Sequence, residues 1–380
     1  MKVLYASCRY DPTDRDAGSG VDFNIYEALK QHGMELRIVG PFPDRPSQFE
    51  TIYRRAHRLF SRKLTAKFSV DYLRSAARAV EQAIEEFQPD AIFTHNLIPL
   101  AYLRTSVPVV YKTDAVLWNM HAQWPTYSRL ELARMLRWEK VALSKAARVI
   151  TASRWAASAL TGHYHIPQER ILVLPIPSSL PLDEVPQHVA DKPLDLHDLH
   201  LLAVAKDYYL KGIDIAEETV AILQGKGINA TLHVAGHTRP DSEHVQFLGL
   251  FKKEDGRQRQ AYLEQYRWAD FLIHPARYEA AGIVCGEAAA FGVPTITNAI
   301  GGLATTVEDG ISGVVLPIAS PASAYAAAVE RYVNDPLAYQ QLRRSTRQRY
   351  ERELNWGAAG VKIVHLLQEA ASKKIMDRKG

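Results

Sequence analysis

The chain has 380 residues, which is too long for one ordinary domain and predicts two. Apolar residues make up 47% and charged residues 23%, the balance of a globular protein, and the absence of any run of about 18 apolar residues argues against a membrane-spanning helix. A formal net charge of +4 is too small to indicate a nucleic-acid-binding protein.

The first half of the chain alternates predicted strands with predicted helices. Its first strand leads to Gly18, Ser19 and Gly20 and then to a helix over 21–33. This alternation predicts an α/β fold, a parallel sheet with helices on both faces. Strands are expected at 2–6, 36–39, 91–94, 107–112 and 148–152, with a helix at 76–87 among the intervening segments.

Residues 53–78 form a strongly basic segment with a loose apolar stripe. Two interpretations stay open, a basic amphipathic helix on an anionic membrane and a solvated helix that packs its stripe on its own domain. The stripe consists of Phe60, Leu64, Phe68 and Tyr72. The basic residues are Arg54, Arg55, Arg58, Arg62, Lys63, Lys67, Arg74 and Arg78, against the single acid Asp71.

A proline-rich stretch divides the chain. Five prolines between 175 and 193 break the strand–helix pattern and predict an interdomain linker. A second strand–helix series starts near His200. Its later strands are expected at 231–235, 245–248, 271–274, 295–297 and 313–316.

The most informative stretch runs from Glu279 to Glu287. An apolar strand precedes it and a helix of small residues, 286–291, follows, so the stretch lies at the carboxyl end of a parallel strand, where such sheets bind ligands. The backbone amides of Gly282, Ile283 and Val284 could hold a phosphate, and both glutamates can accept hydroxyl hydrogen bonds. The alternative is an ordinary turn with two solvated glutamates.

This stretch resembles the E-x7-E signature of the retaining glycosyltransferases of family four. The order of other segments is similar to that family too: the glycine loop at 18–20, the strand at 201–206, Lys211–Gly212, and Gly301–Gly302. The resemblance implies the GT-B fold, two Rossmann-like domains with a donor cleft between them. It assigns 1–176 to the first domain, 177–198 to a linker and 199–355 to the second domain, with a last helix over 356–373 packing back on the first.

The resemblance also implies roles for individual residues. Lys206 and Lys211 would stabilise a leaving diphosphate, and Glu279 would lie near the transferred sugar; these three are the predicted catalytic residues. Glu287 would bind the nucleotide ribose, and Asp114 is a polar group expected to face the cleft. The other predicted substrate-binding residues are Gly18, Ser19, Gly20, Gly282, Ile283 and Val284.

Some positions depart from the family pattern. Lys206 stands where an arginine is usual, and Thr113 stands where a histidine often contacts the donor sugar, so His95 or His121 would have to supply a ring. Two other functions therefore stay open: a nucleotide-sugar epimerase or hydrolase of the same fold, and a binding protein without turnover. A dehydrogenase is disfavoured because the third glycine of the dinucleotide motif is missing after Gly18 and Gly20.

The expected reaction partners follow from the resemblance. They are a nucleotide-diphosphate sugar as donor and a glycan or lipid-linked acceptor, with no nucleic acid, no cofactor and no obligatory metal. Two unpaired cysteines, Cys8 and Cys285, and a first segment that reads as a strand rather than an export signal predict a cytoplasmic protein. Peripheral contact with the inner membrane face through 53–78 is a further expectation.

Overall fold

The computed structural model describes residues 1–15, 17–42, 48–60, 68–189, 191–195 and 197–377. The chain forms two compact units. The first consists of Met1–Leu174 and the chain from Ala359 onward, and the second is Pro175–Ala358. Each unit is an α/β layer structure with one parallel sheet, as predicted.

The first unit is built on six parallel strands in the order β2-β1-β3-β4-β5-β6. The strands are β1 (Lys2–Ala6), β2 (Glu35–Val39), β3 (Ala91–Thr94), β4 (Val109–Thr113), β5 (Ala146–Thr151) and β6 (Ile171–Val173). The helices are α1 (Val21–Gln31), α2 (Gln48–Phe60), α3 (Val70–Phe87), α4 (Leu117–Gln123), α5 (Arg129–Lys145) and α6 (Arg154–Gly162).

Serine caps fix where three of these helices begin. Ser69, Ser128 and Ser153 each accept a hydrogen bond from a backbone N–H in the first turn of α3, α5 and α6. The central strands are buried because both faces of a parallel sheet are covered, and Leu4, Ile92 and Val149 belong to one apolar core. The sheet's carboxyl edge, where the loops after β1, β3 and β4 emerge, is thereby held rigid.

The second unit repeats this plan with the strand order β12-β11-β10-β7-β8-β9. Its strands are β7 (Leu199–Val204), β8 (Ala230–Ala235), β9 (Val245–Gly249), β10 (Phe271–His274), β11 (Thr295–Asn298) and β12 (Gly313–Leu316). Its helices are α7 (Ile213–Gly225), α8 (Gly256–Trp268), α9 (Ile283–Ala290), α10 (Leu303–Thr306), α11 (Ala322–Val333) and α12 (Pro336–Glu353).

The last helix, α13 (Trp356–Asp377), belongs to the first unit from Ala359 onward. Gly360 allows this packing, because a Cβ atom at that position would lie 2.8 Å from the Cβ of Ala28 on α1. An ion pair of 3.8 Å between Arg148 and Glu369 joins α13 to β5. Residues 356–373 were the segment predicted to return to the first domain.

Several predicted boundaries need correction. Residues 177–198, predicted as a separate linker, belong to the second unit, where Leu180 and Val185 enter its apolar core. The helix predicted over 286–291 begins earlier, at Ile283. The third helix begins at Val70 rather than at 76, and strand β6 was not predicted because Ile171–Val173 is only three residues long.

Candidate functional site

In the second unit, the loop between β10 and α9 presents a helix N-terminus. Gly282 is the N-cap of α9 with φ of 72°, and no side chain caps the helix. A Cβ atom on Gly282 would lie 2.5 Å from a methyl group of Leu303. Glycine is therefore required both by the positive φ and by this close approach. The first amides of a helix have no intrahelical acceptor, and those of Gly282, Ile283 and Val284 are therefore suited to an anion.

Glu279 lies beside this helix end in a compact ion cluster. Its Oε2 accepts a hydrogen bond from Lys211 Nζ at 2.8 Å and lies 3.2 Å from His274 Nε2. Its Oε1 accepts from the backbone N–H of Ala280 at 3.0 Å and of Ala281 at 3.4 Å. Burial alone would raise the pKa of Glu279, but the hydrogen bond from His274 and the charge of Lys211 outweigh it, and the pKa lies well below the usual range.

Lys211 is held in place by the backbone before α7. Gly212 is the left-handed N-cap of α7, and a Cβ atom there would lie 2.1 Å from the carbonyl oxygen of Pro275. Arg277 and Asp214 form a bidentate ion pair with both distances at 2.7 Å, which ties the loop after β10 to α7. The structure thus brings the predicted residues Lys211 and Glu279 together.

Lys206 does not join this cluster. Its side chain is exposed just beyond the end of β7, and it makes no ion pair with any residue that the structure describes. The predicted catalytic role of Lys206 stays a prediction without a contact to support it.

Glu287 of α9 is only 1% exposed, and both of its carboxylate oxygens accept hydrogen bonds. Its Oε1 accepts hydrogen bonds from Ser179 Oγ and, at 3.1 Å, from Lys253 Nζ. Its Oε2 accepts from the hydroxyls of Tyr262 and Tyr266 at 2.5 and 2.7 Å. These four donors fill the acceptor positions of one carboxylate, so a ribose would have to displace Ser179 or Lys253.

In the first unit, the glycine loop has an unusual backbone. Gly18, Ser19 and Gly20 all have left-handed conformations, with φ of 59°, 61° and 71°. This is a strained arrangement for Ser19, which carries a side chain. Gly20 is also the N-cap of α1, and no side chain caps this helix. A left-handed residue followed directly by helical ones can turn successive N–H groups toward one point.

A second ion cluster lies at the carboxyl edge of the first sheet. Lys112 is buried, and its Nζ lies 2.5 Å from Asp114 Oδ1 and 3.0 Å from His95 Nε2. His95 Nδ1 lies 3.3 Å from Asp22 Oδ1, which in turn accepts a hydrogen bond of 2.8 Å from the Tyr5 hydroxyl. Asp114 is the most open member of the cluster.

Sequence reasoning found only part of these two clusters. Asp114 was predicted, and His95 was one of two histidines proposed to replace the ring missing at Thr113; the other, His121, instead accepts a hydrogen bond from Thr126 N at 3.3 Å. Lys112 and Asp22 were missed, as were His274, Ser179 and Lys253. A lysine inside an apolar strand such as β4 is the one signal that could have been used, because buried lysines need a partner.

The basic segment 53–78 is not one helix. Its described parts are the end of α2 and the start of α3, and residues 61–67, with Leu64 of the predicted stripe, lie outside the described residues, as does the side chain of Phe60. Tyr72 is buried, and its hydroxyl donates toward the carbonyl oxygens of Cys8 at 3.2 Å and Phe42 at 3.0 Å. That end of the stripe therefore packs on its own unit.

No described helix is long and apolar enough to cross a membrane. Within the same residues, no group of three or more histidine, cysteine, aspartate or glutamate side chains is arranged to hold a metal ion.

Comparison with known families matches both halves of the chain. The family described as "Glycosyltransferase Family 4" matches residues 23–177, and the one described as "Glycosyl transferases group 1" matches residues 186–349. The first match covers most of the first unit but begins after the glycine loop at 18–20. The second covers Lys211, Glu279 and Glu287.

Curated relatives match over different lengths. A D-inositol 3-phosphate glycosyltransferase of Thermomonospora curvata is 39% identical over 95 residues, 25% of this chain and 22% of the relative, so the match spans about a fifth of that protein. One from Thermobispora bispora is 24% identical over 322 residues, 79% of this chain and 75% of the relative. The lipopolysaccharide glucosyltransferase WaaG of Escherichia coli is 36% identical over 124 residues, 30% of this chain and 32% of the relative.

Solved structures share the fold over the whole chain. Sucrose-phosphate synthase from Thermosynechococcus elongatus has a TM-score of 0.68 at 19% identity and covers 98% of this chain and 100% of its own. Anabaena HepE, solved in complex with UDP-glucose, has a TM-score of 0.61 at 15% identity, with 98% and 100% covered.

Proposed function

This chain belongs to the family-four glycosyltransferases of GT-B architecture, and from that premise we propose that it transfers a hexosyl group from a nucleotide-diphosphate sugar to an acceptor hydroxyl, with retention of configuration and without an obligatory metal. The observation that carries the proposal is the pairing of Lys211 with Glu279 beside the uncapped N-terminus of α9.

The donor diphosphate would bind at that helix end. Negative charge grows on the diphosphate as the bond to the sugar breaks, and the enzyme must supply positive charge at the same place. The amides of Gly282, Ile283 and Val284 and the ammonium group of Lys211 are fixed there before the reaction begins. Because these groups supply the positive charge, a divalent cation is not required for this role.

The hydrogen bonds that Glu279 and Glu287 accept favour a front-face substitution as the route to retention of configuration. A double displacement needs a free carboxylate oxygen to attack the sugar carbon. All four oxygens of Glu279 and Glu287 accept hydrogen bonds from protein groups. In our proposal Glu279 therefore holds Lys211 and His274 in position and leaves bond breaking to leaving-group stabilisation.

The acceptor would bind at the first unit. Asp114, with His95 and Lys112 behind it, offers hydrogen-bonding groups of both kinds for sugar hydroxyls. The likeness to a lipopolysaccharide glucosyltransferase supports an envelope glycan or a lipid-linked acceptor. On α2, Phe49 and Ile52 are exposed one helical turn apart with the exposed Arg55 near them, which supports peripheral contact with an anionic membrane at the cytoplasmic face.

Thermal unfolding with a panel of nucleotide sugars tests the donor. A donor at 100 times its dissociation constant should stabilise the folded chain by about 2.7 kcal/mol. UDP-hexoses come first in the panel, and free hexoses that carry no nucleotide serve as the control. If no nucleotide sugar or nucleoside diphosphate raises the melting temperature, the proposal is wrong.

Product analysis then separates the alternative functions. A transferase should give little product from the donor alone and a new glycoside with the same anomeric configuration, seen by proton NMR, when an acceptor panel is added. An epimerase or hydrolase would convert the donor without any acceptor. Donor binding without turnover across the panel would favour the silent binding protein, and loss of transfer in EDTA would contradict metal independence.

A further inference from the structure

The first unit has an open pocket between α4 and α6 that lies outside both ion clusters. Its volume is about 380 Å³, within the range of roughly 300–1,000 Å³ that is common for small-molecule sites. The pocket is lined by Trp118 and Asn119 of α4 and by Trp155, Ser158, Gly162 and His163 of α6 and its C-terminal end.

Trp118 forms a flat aromatic platform in this pocket. Its ring stacks on the His163 ring with 3.8 Å between centroids and 8° between planes, and His163 in turn meets the edge of Tyr164. Although Trp118 is held by this stack, 45% of it is exposed. An indole that is both rigid and open is preorganised to receive a flat ligand face.

The start of α4 is also fixed. The backbone N–H of Leu117 donates to the buried Glu139, with both carboxylate oxygens at 3.0 Å. The hydroxyl of Tyr164 donates to the same carboxylate, so Glu139 connects the first residue of α4 to the residue that follows His163. The two sides of the pocket are thereby connected through one buried side chain.

The polar groups of the pocket are neutral. Asn119 is buried and donates from Nδ2 to the carbonyl oxygen of Trp155 at 3.0 Å, while its Oδ1 accepts no hydrogen bond from any described residue. Burial lowers the pKa of His163, and the nearby His165 and Lys140 lower it further, so the ring is uncharged at neutral pH. A neutral lining disfavours phosphates and carboxylates, whose charge would be desolvated without a partner.

We propose that this pocket binds a neutral hexopyranose unit of an oligosaccharide, with Trp118 as the stacking platform. One face of a pyranose carries C–H groups that suit the electron-rich face of an indole, and its hydroxyls suit an amide and a serine. The pocket opens to solvent, so the rest of a glycan chain can continue past it. The proposal does not require catalysis, because the three predicted catalytic residues belong to the other unit.

The test follows the indole N–H signals of the ¹⁵N-labelled full chain, which has six tryptophans. Trp118→Phe and Trp155→Phe identify two of the signals. Maltoheptaose and cellopentaose serve as α-linked and β-linked probes, and uridine serves as an aromatic probe. We expect the signals of Trp118 and Trp155 to shift saturably with at least one oligosaccharide and not with uridine.

Three variants sharpen the test. Trp118→Ala should weaken oligosaccharide binding about tenfold through loss of the stacking partner. Gly162→Leu should block the pocket while Trp118 stays intact, because no atom lies within 4 Å of a Cβ built at Gly162. Trp124→Ala is the matched control, since Trp124 is equally exposed at 45% but does not line the pocket, and it should bind as wild type does.

Several outcomes would overturn the proposal. They are an absence of shifts with both oligosaccharides, shifts with uridine alone, and binding that survives Gly162→Leu. If Trp118→Ala fails to fold, Gly162→Leu and the wild-type shifts still decide. Nucleotide-sugar binding, followed by thermal unfolding of Gly162→Leu, should remain at the wild-type level, so failure here is distinguishable from failure of the proposed transferase function.

Discussion

Glu139 of the first unit and Glu287 of the second are both almost completely buried, but the groups that surround them differ in charge. Glu139 on α5 of the first unit is 3% exposed and accepts hydrogen bonds from Leu117 N and the Tyr164 hydroxyl, with no cation beside it among the described residues. Glu287 on α9 of the second unit is 1% exposed and accepts from three hydroxyls and the ammonium group of Lys253.

The difference shows what keeps a buried carboxylate charged. Burial raises the pKa of Glu139 to about 7 because two neutral donors do not offset the lost hydration. Burial also acts on Glu287, but Lys253 and the hydroxyls of Ser179, Tyr262 and Tyr266 outweigh it and hold the pKa below the usual value. The two units should therefore respond differently to pH and to loss of the carboxylate.

The largest effect is expected from Glu287→Ala. Removal of the carboxylate leaves the buried hydroxyls of Tyr262 and Tyr266 and the ammonium of Lys253 without their acceptor. The free energy of unfolding should fall by about 3–5 kcal/mol, toward the lower end because Lys253 is 43% exposed and can be hydrated. Urea titration measures it.

The control for this change is Glu264→Ala, which removes an exposed ion pair with Arg267 and should cost no more than about 1 kcal/mol. Equal losses in both variants would contradict the structural role of Glu287. If the folded fraction of Glu287→Ala binds nucleoside diphosphate as tightly as wild type does, the predicted ribose contact is wrong.

Glu139 should make the first unit less stable as pH rises. Its pKa is about 7 in the folded chain and near 4.3 when unfolded, so its contribution is complete below about pH 4.3 and is lost as pH rises through 7. The loss is at most about 4 kcal/mol, from 1.36 kcal/mol for each pH unit of a window of roughly 2.7 units.

Glu139→Gln should remove this pH dependence, because an amide keeps an acceptor for Leu117 N without ionising. Urea unfolding of the wild type and of Glu139→Gln at pH 5 and pH 8 measures this dependence. If the free energy of unfolding changes equally in the two proteins between these pH values, the raised pKa is contradicted. Glu287→Gln is the opposite control, since a lowered pKa gives a contribution that is lost only as pH falls below about 4.3.

The next effect concerns catalysis in the second unit. Lys211→Ala should lower the turnover of any accepted nucleotide sugar about tenfold to a hundredfold, through loss of positive charge at the leaving diphosphate. Lys211→Arg should recover part of it, because the charge returns in a different shape.

Lys226→Ala is the control for charge alone, since Lys226 pairs with Glu330 in the same unit and should have no effect on turnover. Wild-type turnover in Lys211→Ala would remove Lys211 from the site. The turnover of Lys206→Ala should fall between those of Lys211→Ala and Lys226→Ala, because the exposed side chain of Lys206 makes no ion pair with any described residue that would orient it.

The smallest effect concerns the surfaces of the two units. Combined Phe49→Gln and Ile52→Gln changes on α2 should weaken binding to vesicles with anionic lipid several-fold, because two exposed apolar side chains can no longer enter the interface. Sedimentation with vesicles at low and physiological salt measures this binding. Binding should fall at physiological salt, where the Debye screening length is about 8 Å. Leu337→Gln, an equally exposed leucine of the second unit, should change nothing. If the wild type does not sediment at low salt, a soluble acceptor is the better proposal.

The fold could be read from the sequence to a large extent. β1, β3, β10 and β12 have the predicted bounds, because each is a short, largely apolar run of the kind that forms strands of a parallel sheet. Helix starts were less accurate. Helix α3, capped by Ser69, begins at Val70, six residues before the predicted start, and α9, capped by Gly282, begins at Ile283, three residues early. A glycine in the left-handed conformation looks the same in sequence as one in a flexible loop.

The sequence by itself determined the family, the two-unit plan and the positions of Lys211, Glu279 and the α9 amides, because these are local features, fixed by strand ends, glycines and chain order. The tertiary structure decided the partners of each charge. Lys112, Asp22 and His95 come from three different elements, and Ser179, Lys253, Tyr262 and Tyr266 converge on Glu287 from distant positions in the chain. The partners of a buried charge can be distant in sequence. Only the tertiary structure therefore shows that Glu287, which was predicted to bind a ribose, is surrounded by side chains of its own unit.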